Sequence, residues 1–134
     1  MTAKYPSRDS VRRAADAAQI EMPDPFDQDW PITKSDEARV PEFIAALEAN
    51  ARDWEVAYWL IDLVLESACD RADLAAWEDP IIRALSLVLQ STHAPAIVER
   101  LEYWACRDSD LDNAFQVTPL VRGVLAANPS NPSR

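Results

Sequence analysis

The sequence predicts an all-α fold of stacked helical hairpins, and three observations carry that expectation. One Gly and ten Pro in 134 residues leave little provision for β-hairpins or other turns with positive φ. Apolar residues, 49% of the chain, recur from residue 41 onward at helical spacing. Finally, Pro41, Pro80 and Pro119 fall 39 residues apart, and the segments they open align without gaps as "PEFIAALEAN", "PIIRALSLVL" and "PLVRGVLAAN". Each has apolar side chains at the second residue after Pro and again five or six positions after it. A helix pair recurring at about 40 residues is the period of HEAT or armadillo-like α-solenoids. The alternative arrangement is an irregular helical bundle.

The length suits one domain with a single core. Its expected parts are an N-terminal helix and Pro/acid-rich loop over 1–35, helix-pair repeats over 36–128 and a frayed tail over 129–134. The first helix is expected at about 8–20, with Asp9 or Ser10 as N-cap and Val11, Ala14, Ala15 and Ala18 on its apolar side. "MPDPFDQDWPITKSDE" then carries three prolines and five acids, so it reads as a loop. Its Phe26, Trp30 and Ile32 are candidates to pin it to the body.

"PEFIAALEAN" begins with a proline at a plausible first helical position and ends at Asn50. "DWEVAYWLIDLVLES" follows, capped by Asp53 and running to about Ser67. It is apolar almost all round, which marks it as the most buried helix. Val56, Leu60, Ile61, Leu63 and Val64 are expected in the core with Phe43, Ile44, Leu47, Ile82, Leu85 and Leu89. "CDRADLAAWE" reads as a short acidic helix. A new helix is then expected from Asp79–Pro80, because proline costs about 3 kcal/mol inside a helix and almost nothing in its first turn. Another starts near Pro95, with Ile97, Val98, Leu101, Trp104 and Ala105 on its apolar side. The last has Thr118 as cap, Pro119 just inside and Asn128 at its end.

Charge narrows the function. With 23 acids against 13 bases the formal net charge is −10, a field that repels nucleic acid and anionic membranes and attracts basic partners. Gly123, the one glycine, falls inside a helical pattern. A dinucleotide-binding fingerprint, a P-loop and a G-x-S-x-G nucleophile elbow are thereby excluded. "MTAKYPSRDSVRR" leads into no apolar stretch, so no secretory leader is expected. The longest apolar run, "VAYWLI", is too short to cross a bilayer. Cys69 and Cys106 do not make a disulfide framework, and a cytoplasmic location is the expectation.

Catalytic and metal signatures are weak. "DSDLDN" at 108–113 opens like a calcium loop, but Asn113 replaces the needed Gly and Pro119 the needed Glu. His93, the single histidine, lies 24 and 13 residues from the two cysteines, so no zinc spacing is present. Neither a cofactor nor a metal is expected, and the chain reads as a non-enzyme. An enzyme without a recognisable motif would need His93, Cys106 and carboxylates converging in a pocket.

The most distinctive pattern is acidic. Residues 53–79 hold eight acids and only Arg71 as a base. On the helix from residue 54, Glu55, Asp62 and Glu66 fall within about 40° of one another, with Trp59 on the same line. No Lys or Arg stands three or four positions after any of them to neutralise it. A self-repelling stripe beside an aromatic ring is a candidate anchor for an Arg- or Lys-rich partner, through ion pairs and cation–π contact. Asp70 and Asp73 extend it. On the helix from Pro95, Glu99, Glu102, Tyr103 and Cys106 form a second outward row, and the two rows would join if second helices line one face of the stack. The stripe could equally be a solvated face.

Between residues 41 and 128 the chain resembles the small acidic helical immunity proteins of bacterial polymorphic and contact-dependent inhibition toxin systems. The resemblance rests on size, acidity, helix-pair period and the "DWEVAYWLIDLVLES" helix. It implies a cytoplasmic protein that binds a cognate toxin, commonly a basic nuclease, and blocks it. The expected partner is accordingly a basic toxin domain, with no nucleic acid and no membrane, and oligomeric state is left open. The expected partner-binding residues, from charge and helical geometry, are Glu55, Trp59, Asp62, Glu66, Asp70, Asp73, Glu99, Glu102 and Tyr103. The alternative function is a non-catalytic scaffold or adaptor that binds through apolar and loop surfaces around Phe26 and Trp30.

Overall fold

A computed structural model describes residues 6–22, 29–69, 71–92, 94–107 and 114–128. These residues form α-helices α1 (Arg8–Ala18), α2 (Trp30–Thr33), α3 (Val40–Ala49), α4 (Trp54–Cys69), α5 (Leu74–Ser91), α6 (Pro95–Ala105) and α7 (Thr118–Ala127), with a 3-10 turn at Glu37–Arg39 before α3. No strand occurs among the described residues. The fold is all-α.

Helix α1 starts at Arg8, as expected, but its cap lies two residues before Asp9 and three before Ser10. Ser7 is the N-cap, and its hydroxyl accepts the Ser10 N–H at 3.3 Å. Ser10 cannot cap because it lies on the buried face with Val11, Ala14, Ala15 and Ala18. There its hydroxyl donates to the Ser7 carbonyl and accepts the Trp59 indole N–H at 2.9 Å. Thr118 is displaced from its expected capping role in the same way. It is the first residue of α7, and its hydroxyl donates to the Trp104 carbonyl at 2.8 Å. Asp53 does cap, accepting the Val56 N–H at 3.4 Å, and α4 continues two residues past the expected Ser67.

The shortage of glycine shows at two helix ends. Helices commonly stop on a left-handed residue, usually Gly. Here Gln19 (φ 56°) and Cys106 (φ 48°) take that conformation at the ends of α1 and α6. Both ends lack a basic residue of their own in the last turn. An arginine from elsewhere satisfies the open carbonyls in each case. Arg39 donates to Ala18 O at 2.8 Å and Gln19 O at 3.2 Å, and Arg122 donates to Ala105 O and Cys106 O, both at 2.7 Å. A cation at the C-terminal end of a helix also complements its dipole.

Helix α5 corrects the expectation built on Pro80. The helix is continuous from Leu74 to Ser91, and Pro80 is its seventh residue. "CDRADLAAWE" and "DPIIRALSLVLQ" therefore contribute to one helix, and the 39-residue proline spacing is not a spacing of helix starts. Pro41 and Pro119 do lie in first turns. What the three segments share is burial at the fifth residue after proline: Ala46, Leu85 and Val124. Before Pro80 no α5 residue is fully buried, whereas Ile81, Ala84, Leu85 and Val88 are. The packed part of α5 begins where the proline stands.

Two successions of neighbouring helices make up the body. Helices α3, α5 and α7 pack side by side in that order, and α1, α4 and α6 do the same. The successions meet through α1–α3, α3–α4, α4–α5 and α6–α7, while α2 and the 3-10 turn lie against α4. Helix α4 thus has neighbours on most sides, which its composition demands. Leu60, Ile61, Leu63, Val64 and Leu65 are all fully buried, each burial contributing about 1.5–3 kcal/mol. All seven helices share one core. Ile82, Leu89 and Val98, expected inside, are only partly buried, because they sit at the margins of their helices' packed faces. Trp30 is buried against Trp59, ring centroids 5.6 Å apart, but Ile32 is exposed and Phe26 lies outside the described residues.

Gly123 is an exposed interior residue of α7, and a Cβ there would meet nothing within 4 Å. Gly123→Ala is expected to raise the unfolding free energy by about 0.5–1 kcal/mol, measured as a higher urea midpoint at unchanged slope.

Candidate functional site

The acidic line on α4 faces inward. Trp59 is 7% and Asp62 3% exposed, so neither is presented to a partner, contrary to the expected acidic–aromatic stripe. The physical reason is packing on both ends of the line. Helices α1 and α2 cover it at Trp59, through Ser10 and Trp30, and α6 covers it at Asp62. Glu55 is half-buried and serves the α1 junction. Its carboxylate accepts the Ser7 N–H and lies 3.9 Å from Arg13, which also pairs with Asp9 and Asp53. The Ser7 bond, aided by Arg13, holds the Glu55 carboxyl below the usual range.

Asp62 is the centre of a buried polar cluster. Its oxygens accept the Arg100 Nε–H at 2.7 and 2.9 Å, and Oδ1 also accepts the Trp104 indole N–H at 2.9 Å. The neutralising cation thus comes from α6, 38 positions along the chain, where no rule about neighbours within one helix could find it. Burial drives the Asp62 carboxyl upward against the opposing pull of Arg100 and Trp104. Desolvation pulls the Arg100 guanidinium down, but its bonds and attraction to Asp62 outweigh that and leave it raised. Above the guanidinium lie two rings, Tyr103 at 4.5 Å and Tyr58 at 5.7 Å.

Sequence reasoning missed Arg100, although a signal existed. An aspartate in the middle of an apolar helix requires a partner. Arg100 is the only base in α6, and Tyr103 and Trp104 stand three and four positions after it, on its own side of the helix.

The remaining expected residues are scattered. Glu66 is half-buried on α4, and Asp70 lies outside the described residues, as do His93 and residues 108–113. Asp73 is exposed at the start of α5 and is paired with Arg71 at 2.6 and 2.9 Å, which pushes its carboxyl down to about 2. On α6, Glu99 is exposed, Glu102 pairs with Arg107 at 2.9 Å, and Tyr103 is 52% exposed. Cys106, expected in the same row, is instead the left-handed residue that ends the helix.

The exposed Tyr103 ring is firmly held. It stacks edge-on against Trp104 at 5.7 Å, leans on Phe115 at 5.8 Å and covers Arg100. The structure therefore brings Glu99, Glu102 and Tyr103 together on α6 and sends Trp59 and Asp62 into the core.

Both cysteines are free thiols. Among the described residues no group of His, Cys, Asp and Glu could hold a metal ion, and no helix is long and apolar enough to cross a membrane. Comparison with protein-family models, with curated proteins and with solved structures finds no match to the chain.

Proposed function

We propose that the chain is a non-catalytic protein-binding inhibitor, an immunity protein that neutralises a basic, nuclease-type toxin domain through the outer face of α6. The observation that carries this reading is the braced, half-exposed Tyr103 ring on the same helix as Glu99 and Glu102. Tyrosine and arginine dominate the energetics of protein interfaces, and a ring already fixed in place loses little freedom on binding. The carboxylates beside it and the −10 net charge favour fast encounter with a cationic partner. Two successions of helices, α3–α5–α7 and α1–α4–α6, support the finer fold reading of stacked HEAT-like hairpins. On that reading α6 belongs to the row of second helices.

The test is binding to a basic toxin domain encoded beside the gene, measured by calorimetry. Tyr103→Ala and Glu99→Lys are each expected to weaken binding at least about tenfold, the equivalent of 1.4 kcal/mol. Glu99 is exposed, so its substitution should spare folding, and urea unfolding of Tyr103→Ala separates loss of the ring's contacts with Trp104 and Phe115 from loss of binding. Affinity should also fall as salt rises. Unchanged affinity in a Glu99→Lys/Glu102→Lys/Tyr103→Ala triple variant would overturn the face. A salt-independent interaction lost on Ile32→Asp would favour the adaptor reading, for which Ile32 is the exposed apolar residue on the loop side.

A further inference from the structure

Five arginines among the described residues are partly buried: Arg13, Arg39, Arg71, Arg100 and Arg122. Four of them spend at least one terminal nitrogen on a carboxylate or a main-chain carbonyl. Arg100 does not. Its Nε–H carries the whole bond to Asp62, and neither Nη has an acceptor among the described residues. Its side chain is 27% exposed.

A guanidinium in this state is a prepared binding group. Asp62 is itself immobilised by Trp104, so the inner edge of Arg100 is fixed. Its guanidinium carbon lies over the Tyr103 and Tyr58 rings, 4.5 and 5.7 Å from their centroids, which restricts its movement. The outer edge is left with the parallel N–H donors that match two oxygens of a planar oxyanion. Ordering costs that normally oppose such binding have been met in folding.

We propose that the outer edge of Arg100 recognises a carboxylate group, presented by a small free acid or by a peptide chain end. The selection for a carboxylate follows from the surroundings. Asp62 already neutralises Arg100, so attraction comes from directed hydrogen bonds and not from net positive charge. Glu99 and Glu102 on the same helix oppose a dianion such as phosphate more strongly than a monoanion. The flanking tyrosine ring favours a flat ligand. This site does not depend on the toxin-binding reading, since no basic partner is involved.

The experiment is an NMR titration of the intact chain, following the Arg100 Nε–H and Tyr103 ring signals. Probes are benzoate, benzamide, and an N-acetylated tripeptide ending in phenylalanine, as carboxylate and as amide. Saturable shifts with a Kd of the order of millimolar are expected for a carboxylate, and at least about tenfold weaker binding for its amide. Response to benzoate alone assigns the site to small acids, and response to the peptide carboxylate assigns it to chain ends. Arg100→Lys keeps a cation for Asp62 but removes the fork, and should weaken binding at least about fivefold. If that variant does not fold, Tyr103→Ala provides the readout, with weakened binding expected from loss of the ring. Equal binding of carboxylate and amide, indifference to the substitutions, or no saturable shift up to about 50 mM would overturn the proposal.

Discussion

Replacing Arg100 by alanine is expected to destabilise the fold by about 3–5 kcal/mol, because it strands a buried carboxylate without its cation. Asp62 is 3% exposed and would keep only the Trp104 N–H. Asp62→Leu should cost less, since Arg100 is partly exposed and can turn its charge to water. The double variant Asp62→Leu/Arg100→Met should recover much of the loss, as apolar replacements of buried ion pairs often do. Urea unfolding of the four proteins gives the coupling between the two sites. Additive losses would mean that the pair acts as two separate packing elements.

The same pair predicts a pH dependence. Folding raises the Asp62 carboxyl above its ordinary value of 3.8, so the folded protein holds that proton more tightly than the unfolded chain. The contribution of Asp62 is therefore most favourable below 3.8 and declines as pH climbs through the raised value. Arg100→Ala removes the main opposing pull and lifts the carboxyl further. The deficit of this variant against wild type should accordingly be smallest in acid and grow toward neutrality. A deficit that does not change with pH would show that lost packing of the arginine stem, and not the stranded charge, accounts for it.

What could be read from the sequence divides along the range of the interaction concerned. Burial of α4 follows from its own composition, and Val56, Leu60, Ile61, Leu63 and Val64 are in the core as expected. Phe43, Leu47, Leu101 and Trp104 follow from helical spacing alone. The errors arise where a residue's partner lies on another helix. Ser10 looked like a cap until Trp59 claimed its hydroxyl from 49 positions away. Asp62 looked unneutralised because its cation belongs to α6. The candidate face was misplaced for the same reason: an acidic line on an apolar helix can be an interhelical seam as readily as a surface. Of the expected face, Asp73, Glu99 and Tyr103 do lie exposed.

Pro80→Ala is expected to stabilise the protein by about 1–3 kcal/mol, the reverse of the usual outcome at a partly buried position. Proline at the seventh position of α5 withholds the N–H that would bond to the Ala76 carbonyl, and its ring crowds that same carbonyl. Asp79, just before it, is also biased away from helical conformation. Alanine removes all three penalties. The first six residues of α5 contain no fully buried side chain, and they are held by the Arg71–Asp73 pair and by Arg71 over the Trp77 ring at 5.2 Å. Much of the gain should therefore appear there, as slower amide hydrogen exchange at residues 78 and 79 than in wild type. A proline in a first turn would behave differently, since its N–H has no helical partner to lose. In that case the substitution would shift stability by only a few tenths of a kcal/mol, and residues 75–79 would exchange freely in both proteins. Net destabilisation would mean that the proline itself is what sets Ile81 and Leu85 into the core, and that its cost is offset by their packing.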